Sequence, residues 1–269
     1  MRATNYLRRP DVRRMPARLL SRRIRAEILR RTDSPLFRRE RLFSLSDGSR
    51  VRASLSDSVG FELYVHGAYG WPLLEQLRRL VVMGDTVVDV GAHIGSFAVP
   101  AAQVVGGQGR VLAFEPDAQS RRLLKINLDL NDLGERVTVH PTAASDRAQV
   151  LPLGSPSTTN SGMARLGLGS QMVECVRLDD VLNRSECPSL ALMKVDVEGH
   201  EHQVLTGARE IIDRFKPAIM TEVNGPEVVD LLTGGHGYRL YSLSLDAGPA
   251  PWAGPRGVRG EPDNVLAIP

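Results

Sequence analysis

Short apolar runs alternate with amphipathic segments along the chain after residue 84. The runs are short enough to be buried strands rather than helices. The five strands predicted in this way are Thr86–Asp89, Arg110–Glu115, Arg136–His140, Leu190–Asp196 and Pro217–Val223. Helical periodicity follows from Ile94 onward, in Ala118–Leu130 and in His200–Phe215. This alternation predicts an α/β fold with a doubly wound, mainly parallel sheet, in which ligands bind at the carboxyl ends of the strands.

Further segments extend this pattern at both ends. Tyr238–Leu243 and Asn264–Ile268 predict an antiparallel pair of strands near the C-terminus, which brings the predicted sheet to seven strands. Before the first sheet strand, Phe43–Leu55 alternates around an Asp-Gly pair and predicts a β-hairpin. Trp71–Val82 predicts a helix that begins beside a proline.

Changes of pattern divide the chain into three parts. We predict a basic arm at residues 1–40, a hairpin and helix packed on the core at 41–83, and the main domain at 84–269. Inside the main domain, a loop rich in Gly, Ser and Thr at 154–170 is a candidate lid. Met172–Arg177 alternates like a strand at the edge of that insertion.

Charge is distributed unevenly over these parts. The first 50 residues hold 15 Arg and 5 acidic residues, whereas the remainder holds 19 basic and 26 acidic residues. The net charge of +3 therefore comes from the arm. Because the main domain is acidic, the overall basicity is weak evidence for binding of nucleic acid. A nucleic-acid-binding protein that uses the arm stays as an alternative.

Residues 16–33 of the arm carry an amphipathic pattern, in which Leu20, Ile24 and Ile28 recur every four residues and arginines cover the other face. The pattern predicts a short, basic helix. Two interpretations stay open. The helix packs on the main domain or on the second subunit of a homodimer, or it makes a peripheral contact with an anionic membrane surface.

Neither a membrane span nor a metal site is predicted. No apolar run approaches the ~18 residues that span a bilayer, and the basic N-terminus has no apolar segment of a signal peptide behind it. Cys175 and Cys187 are 12 positions apart and match no metal or redox spacing. His200 and His202 do not converge on a helix. We therefore expect reduced thiols in a cytoplasmic protein.

The segment TVVDVGAHIGSF predicts a strand, a glycine turn and the start of a helix, an arrangement in which backbone N–H groups converge on a ligand. A dinucleotide-binding turn has a glycine where this chain has His93, whose side chain blocks a pyrophosphate. Asp89, Gly91 and Gly95 instead form a D-x-G-x-x-x-G turn. The carboxylate suits a ligand with an ammonium group, such as the methionine part of S-adenosylmethionine; the alternative is a βα turn without a ligand.

Two further segments suit a nucleoside. Glu115 follows Asp89 by 26 residues at the end of the second strand, where a carboxylate can accept hydrogen bonds from both ribose hydroxyls, and Pro116 ends that strand. Ala144 and Asp146 follow the third strand. They suit the floor and edge of an adenine pocket, although an Asx or Ser turn explains them equally well.

The segment KVDVEGHE concentrates charge at the end of the fourth strand. Lys194, Asp196 and Glu198 are predicted to share one side at the carboxyl edge of the sheet, and His200 begins the next helix. Charged side chains that end an apolar strand are costly unless they are paired or used. An imidazole among carboxylates is a candidate general base. Glu222, at the end of the fifth strand, faces the same edge.

Taken together, DVGAHIGSF, GRVLAFEPD, AASD, LMKVDVEGHE with VLTGA, and PAIMTEV resemble the FkbM-type methyltransferases in order and spacing, from about Val51 to the C-terminal NVLAIP. The resemblance implies a Rossmann-like sheet and S-adenosylmethionine-dependent O-methyl transfer. The chain departs from the family at His93, where Asn is usual, and at Tyr69-Gly70, where Tyr-Glu is usual.

By this resemblance the site has two sets of residues. Those predicted to bind the cofactor are Asp89, Gly91, Ala92, His93, Gly95, Glu115, Pro116, Ala144 and Asp146. Those predicted to line the reaction centre are Lys194, Asp196, Glu198, His200 and Glu222.

The implied reaction transfers a methyl group from S-adenosylmethionine to a hydroxyl of a small molecule or glycan, with His200, Asp196 or Glu198 as the base and without a metal. An RNA methyltransferase that uses the basic arm is the alternative acceptor class.

Overall fold

The computed structural model describes residues 39–45, 48–66, 71–155, 164–184, 187–243, 249–254 and 263–269. The predicted basic arm, its amphipathic helix at 16–33 and the Tyr69-Gly70 pair lie outside these residues.

The N-terminal part begins with the predicted hairpin, formed by β1 (Glu40–Ser44) and β2 (Arg50–Ser54). Helix α1 (Ser58–His66) follows and was not predicted, whereas α2 (Trp71–Leu80) confirms the predicted helix. Asn127 fastens the hairpin to the core. Its side chain exchanges hydrogen bonds with the backbone N–H and C=O of Arg52, at 2.6 and 3.1 Å.

The main domain then alternates strands and helices. In chain order they are β3 (Thr86–Val90), α3 (Ala98–Val105), β4 (Arg110–Phe114), α4 (Ala118–Asp129), β5 (Val137–His140), β6 (Ala143–Ala144), β7 (Gln149–Gly154), β8 (Arg165–Leu166), β9 (Gln171–Val176), α5 (Leu178–Arg184), β10 (Leu192–Val195), α6 (Glu201–Thr206), α7 (Arg209–Phe215), β11 (Ala218–Val223), α8 (Pro226–Asp230), a π-helical turn (Leu231–Gly235), β12 (Arg239–Ser242), β13 (Ala250–Pro251) and β14 (Asp263–Ile268).

Within the described residues, eight strands form the central sheet in the order β13-β12-β14-β11-β10-β3-β4-β5. Strands β11, β10, β3, β4 and β5 pair in parallel, and β14 pairs antiparallel with both β11 and β12. The seven predicted strands all lie in this sheet, including the antiparallel C-terminal pair. The eighth is β13, a two-residue edge strand that was not predicted.

The strand order places a topological switch beside β3. The chain continues from β3 to β4 and β5 on one side, and later returns to β10 and β11 on the other side. Loops that leave β3 and β10 therefore diverge to opposite faces of the sheet and open a crevice at their carboxyl ends, where ligands bind in open α/β sheets.

Hydrophobic packing covers both faces of the sheet. On one face, Met193 and Val195 of β10 pack in a cluster with Leu205 and Ile211 of the helices α6 and α7. On the other face, Leu192 belongs to a second cluster that includes residues of α2, α3 and α4. Strand alternation places Lys194 on this second face, where its charge needs partners.

A second, four-stranded sheet follows β5, with the order β6-β9-β7-β8. The predicted strand at Met172–Arg177 is confirmed as β9. Strands β7 and β8 were not predicted; β7 ends where the predicted loop at 154–170 begins, and β8 lies inside that loop. Leu153, Val173 and Cys175 bury one face of this sheet. Residues 156–163 of the loop lie outside the described part of the chain.

The predicted helix at His200–Phe215 is wrong in its continuity, because it is broken into α6 and α7 at Gly207 and Ala208. A Cβ at Gly207 would lie 2.0 Å from the backbone oxygen of Ser145, so this residue lies directly against the loop after β6. The predicted helix from Ile94 begins later, at Ala98, because the glycine turn continues to Gly95. In the described segments no helix is both long and apolar enough to cross a membrane.

Candidate active site

The turn after β3 is held against the two neighbouring strands. The amides of Gly91 and Ala92 both donate to the carbonyl of Phe114, at 3.0 and 3.1 Å. Gly91 has φ +77°, and a Cβ there would lie 1.9 Å from the carbonyl oxygen of Asp196. Glycine is therefore required at this position both by the backbone conformation and by the close approach of the turn after β10.

His93 lies in the same turn and connects it to the N-terminal part. Its φ of +50° is in the left-handed region, which His and Asn adopt more readily than most residues. Its amide donates to Oε2 of Glu115 at 2.7 Å, and its Nε2 lies 3.3 Å from Oδ2 of Asp57. Burial lowers the pKa of His93, but Asp57 and Glu115 outweigh this effect and raise it above the usual value.

Glu115 is buried at the end of β4, as the sequence predicted for a residue that binds ribose. Oε2 accepts from the His93 amide, and Oε1 accepts from the Asp117 amide at 2.8 Å. Burial raises the pKa of the carboxyl, against the opposing effects of His93 and of the backbone hydrogen bonds. The two amides fix the carboxylate in one orientation, and each oxygen keeps a lone pair for a further donor.

A buried ion pair joins β3 to β10. Nζ of Lys194 lies 3.2 Å from Oδ1 of Asp89, 3.0 Å from the carbonyl oxygen of Gly91 and 3.4 Å from Oδ2 of Asp196. Asp89 has no exposed surface, and its second oxygen, Oδ2, has no hydrogen-bond partner among the described residues. Burial raises the pKa of Asp89, and Lys194 opposes this. Lys194 thus forms ion pairs with two predicted site residues.

One cleft at the carboxyl edge of the sheet brings both predicted sets of residues together. It encloses about 560 Å³, including its open mouth. Seven predicted site residues line it, namely Gly91, His93, Glu115, Pro116, Ala144, Asp196 and Glu198. The other lining residues are Val90, Phe114, Ala143, Leu153, Ala164, Leu166 and Val197. The second sheet supplies Leu153 and Leu166, which the sequence did not indicate as site residues.

The turn after β10 directs Glu198 into this cleft. Glu198 has φ +56° and the following Gly199 has φ +105°, so two successive residues adopt the left-handed region. Oε2 of Glu198 lies 3.4 Å from Nη2 of Arg165 in the second sheet. Burial, and then the charge of Asp196, raise the pKa of the Glu198 carboxyl, and Arg165 opposes both.

Glu201, which the sequence also did not indicate, holds the turn after β10 in place. Its Oε1 accepts hydrogen bonds from the amides of Val197 and Gly199, both at 3.1 Å, and its Oε2 accepts from Nδ2 of Asn224 at 2.7 Å. The available signal was an acidic residue in the first turn of a helix, a position at which carboxylates cap backbone N–H groups.

His200 does not line the cleft, and its ring is bound on the side of the loop after β6. Its Nε2 lies 3.0 Å from Oγ of Ser145, which also contacts Oδ1 of Asp146 and accepts from Nε2 of Gln149. Because the single Ser145 proton goes to Asp146, Nε2 of His200 must carry a proton and donate. Burial lowers the pKa of His200, which leaves Nδ1 of a neutral ring as its basic nitrogen.

Glu222 lies beside Asp196 at the carboxyl edge of the sheet. It follows Thr221, which pairs with Val195, so Glu222 and Asp196 lie at the same level of neighbouring strands. Burial, together with Asp196, Glu201 and Glu198, raises the pKa of Glu222 to about 8. Among the described residues, no group of three His, Cys, Asp or Glu side chains is arranged to hold a metal ion.

A parallel sheet with a switch beside β3, a glycine turn there and a buried carboxylate after β4 define the class of α/β proteins that bind a nucleoside-type ligand at the strand ends. Comparison with known proteins identifies the family. The chain matches the methyltransferase FkbM domain over residues 89–240, which is more than half of its length. The protein belongs to the FkbM methyltransferase family.

Individual relatives are distant. The chain is 29% identical over 123 residues to the hexuronic acid methyltransferase AglP of Haloferax volcanii, a match that covers 46% of this chain and 49% of AglP. It therefore spans about half the length of that relative. It is 28% identical to the 31-O-demethyl-FK506 methyltransferase FkbM of Streptomyces tacrolimicus, covering 59% of this chain and 74% of the relative.

Among solved structures, the methyltransferase FkbM of Methylobacillus flagellatus KT superposes with a TM-score of 0.48 at 17% identity. The match covers 77% of this chain and 52% of that one.

Proposed function

We propose that the protein transfers a methyl group from S-adenosylmethionine to a hydroxyl of a small molecule or glycan. The observation that carries this proposal is that one cleft is lined by Glu115 on one side and by Asp196 and Glu198 on the other. We call Asp89, Gly91, His93 and Glu115 the cofactor half of the site. The acceptor half consists of Asp196, Glu198 and Glu222.

The cofactor half fits S-adenosylmethionine. Oδ2 of Asp89 is buried without a partner among the described residues, as an acceptor reserved for an ammonium group would be. Glu115 holds a fixed carboxylate for the ribose hydroxyls, and Ala144 with Pro116 offers a small apolar surface for the base. When bound, the cofactor supplies an electrophilic methyl group on a sulfonium.

The acceptor half has to orient a hydroxyl and remove its proton. Asp196 lines the cleft, and its Oδ2 lies 3.4 Å from the ammonium of Lys194. We therefore assign Asp196 as the proton acceptor, in preference to His200, whose Nε2 is engaged with Ser145. Glu198 and Glu222 are assigned to the orientation of the acceptor, and Lys194 to the charge balance of the site.

The named relatives support oxygen as the methylated atom. One of them is named for 31-O-demethyl-FK506, a hydroxyl-bearing compound, and the other for hexuronic acid. These names describe chemically different acceptors, and they support a small molecule or a sugar as the acceptor class.

Calorimetry with S-adenosylmethionine and with NAD tests the cofactor. We expect saturable binding heat with S-adenosylmethionine and none with NAD. Binding of S-adenosylmethionine should be weaker in Glu115→Gln and unchanged in the control Glu174→Gln, which alters an exposed carboxylate on the second sheet. Transfer of labelled methyl groups is then measured to uronic-acid glycans, to 31-O-demethyl-FK506 and to RNA. Binding of NAD alone would contradict the proposal, and transfer to RNA alone would replace its acceptor class.

A further inference from the structure

A single buried carboxylate connects the two loops that carry the acceptor half. Glu201 is 1% exposed, and all its hydrogen bonds described above go to the turn after β10 or to Asn224, directly after β11. Asn224 is otherwise exposed, and it lies two residues beyond Glu222. Glu201 thus links the loop that holds Glu198 to the strand end that holds Glu222.

The turn after β10 needs such a link. A non-glycine residue in the left-handed region keeps that conformation only when its surroundings determine it. Glu198 is in this region, and the two amides bound by Oε1 of Glu201 belong to the residues immediately before and after it. One carboxylate oxygen therefore fixes the backbone on both sides of the strained residue, and with it the direction of the Glu198 side chain into the cleft.

We propose that Glu201 and Asn224 act as a positioning pair that sets Glu198 in the acceptor half, an inference that rests on the methyl-transfer function proposed above. Neither residue lines the cleft, so neither is assigned a direct contact with the acceptor. Loss of the pair displaces Glu198 and slows transfer, while the cofactor half keeps its own contacts on β3 and β4.

The pair can be tested by exchanging its carboxylate and its amide between the two positions. Glu201→Gln keeps one oxygen for the two backbone amides, but this oxygen is uncharged, and the new N–H group finds an acceptor only if the side-chain amide of Asn224 rotates. Asn224→Asp places two carboxylates against each other. In the double variant E201Q/N224D, the new amide donates to the new carboxylate, and the total charge equals that of the parent. Glu227→Gln, an exposed carboxylate in the first turn of α8, is the control.

The first measurement needs no ligand. Hydrogen exchange of the Val197 and Gly199 amides is followed by NMR in the parent, the two single variants, the double variant and the control. Because a weakened hydrogen bond opens more often, we expect exchange at these amides to be about tenfold faster in E201Q. Amides of β3 and β4 should be unchanged, and E201Q/N224D should return most of the way to the parent rates, because the glutamine at position 201 is again held by an acceptor at position 224. Uniformly faster exchange would show general destabilisation and overturn the proposal.

The second measurement separates kcat from cofactor binding. A displaced catalytic-site side chain typically costs ~10–100-fold in rate, so E201Q should lose this much in kcat and keep its affinity for S-adenosylmethionine within about threefold. E201Q/N224D should recover most of the loss. Parent-like kcat in E201Q, or no recovery in the double variant, would overturn the positioning role. If the parent itself transfers no methyl group, the proposed function fails, and the exchange experiment still decides the pair.

Discussion

The two halves of the proposed site are built in opposite ways. In the cofactor half, the glycine turn hydrogen-bonds to β4 and Glu115 is fixed by two backbone amides. In the acceptor half, Asp196, Glu198 and Glu222 lie together with Lys194 as the nearby ammonium group. The first half is held mainly by the backbone, whereas the second depends on side chains that repel one another.

This difference suits the two ligands proposed for the site. A cofactor that is the same in every reaction is best bound by rigid backbone geometry, which glycine and a buried carboxylate provide. An acceptor hydroxyl needs groups that can exchange a proton, and such groups are obtained by burying carboxylates near each other at a cost in stability. Substitutions in the two halves should therefore have separable effects on cofactor binding, on turnover and on stability.

The largest effect is expected for Asp196→Asn. The amide cannot accept a proton from the acceptor, so kcat should fall by ~10²–10⁴-fold. Affinity for S-adenosylmethionine, measured by calorimetry, should stay within about threefold. Asp132→Asn is the matched control, because Asp132 is exposed beyond the opposite edge of the sheet and its φ of +55° also suits Asn. Similar rates for parent and D196N would place the base elsewhere, with His200 the next candidate.

Glu115→Gln should show the reverse pattern. Loss of a charged acceptor for two ribose hydroxyls should weaken binding of S-adenosylmethionine by ~10–100-fold, since a hydrogen bond to a charged group contributes about 1.5–3 kcal/mol. At saturating cofactor, kcat should stay close to that of the parent. Calorimetry and initial rates at varied cofactor concentration measure the two quantities. An unchanged affinity would show that Glu115 only supports the glycine turn through the His93 amide.

The residues proposed for the cofactor half were easier to place in the fold from the sequence than those proposed for the acceptor half. Asp89 and Gly91 lie in one strand and the turn that follows it, and Glu115 ends the next strand along the chain. The order of strands and turns in the sequence was therefore enough to predict that these residues lie at the same edge of the sheet. The orientation of His200 was not predictable, because it depends on Ser145, which is 55 residues away. The acceptor half is assembled by contacts of this kind between distant segments.

The same limit applies to the fold. Apolar runs predicted the seven main strands, since burial on two faces leaves a continuous hydrophobic pattern. The break at Gly207 was missed, because helical periodicity continues through it and its cause is the backbone of Ser145. The strands β7 and β8 were missed, because β7 contains a proline, β8 has only two residues, and the segment between them is rich in serine and threonine.

Glu222→Gln tests the electrostatic cost of the acceptor half. The pKa of Glu222 is raised from its usual 4.5 to about 8 by burial and by Asp196, Glu201 and Glu198, with Lys194 opposing. Between these pH values the folded protein holds a proton that the unfolded chain has released, so rising pH favours unfolding. At pH 9 the variant should unfold at a temperature higher by about 3 °C than the parent, with little difference at pH 5.

Thermal unfolding across pH 5–9 measures this effect, with Glu174→Gln, which changes an exposed carboxylate on the second sheet, as the control. If the unfolding temperatures of E222Q and the parent ran parallel over the whole range, Glu222 would be ionised in the folded protein. The carboxylates of the acceptor half would then repel one another less than their arrangement implies.

The smallest effect is expected for His93→Asn, which introduces the residue usual in the family. Asn also adopts the left-handed region, and the backbone amide still donates to Glu115, so affinity for S-adenosylmethionine should stay within about threefold. Asn is too short to keep the contact with Asp57, which joins the turn to the N-terminal part. The unfolding temperature should therefore fall by about 2–4 °C near pH 6, since a contact of roughly 1 kcal/mol is lost.

The pH dependence identifies that contact. Because the pKa of His93 is raised in the folded protein, its stabilising effect is complete below its usual pKa and is lost as pH rises through the raised value. The difference between parent and H93N should thus shrink toward pH 9. His202→Asn, which changes a histidine outside the cleft on α6, should show no such trend. If His93→Asn weakened the binding of S-adenosylmethionine more than Glu115→Gln does, the cofactor half would not be held mainly by its backbone.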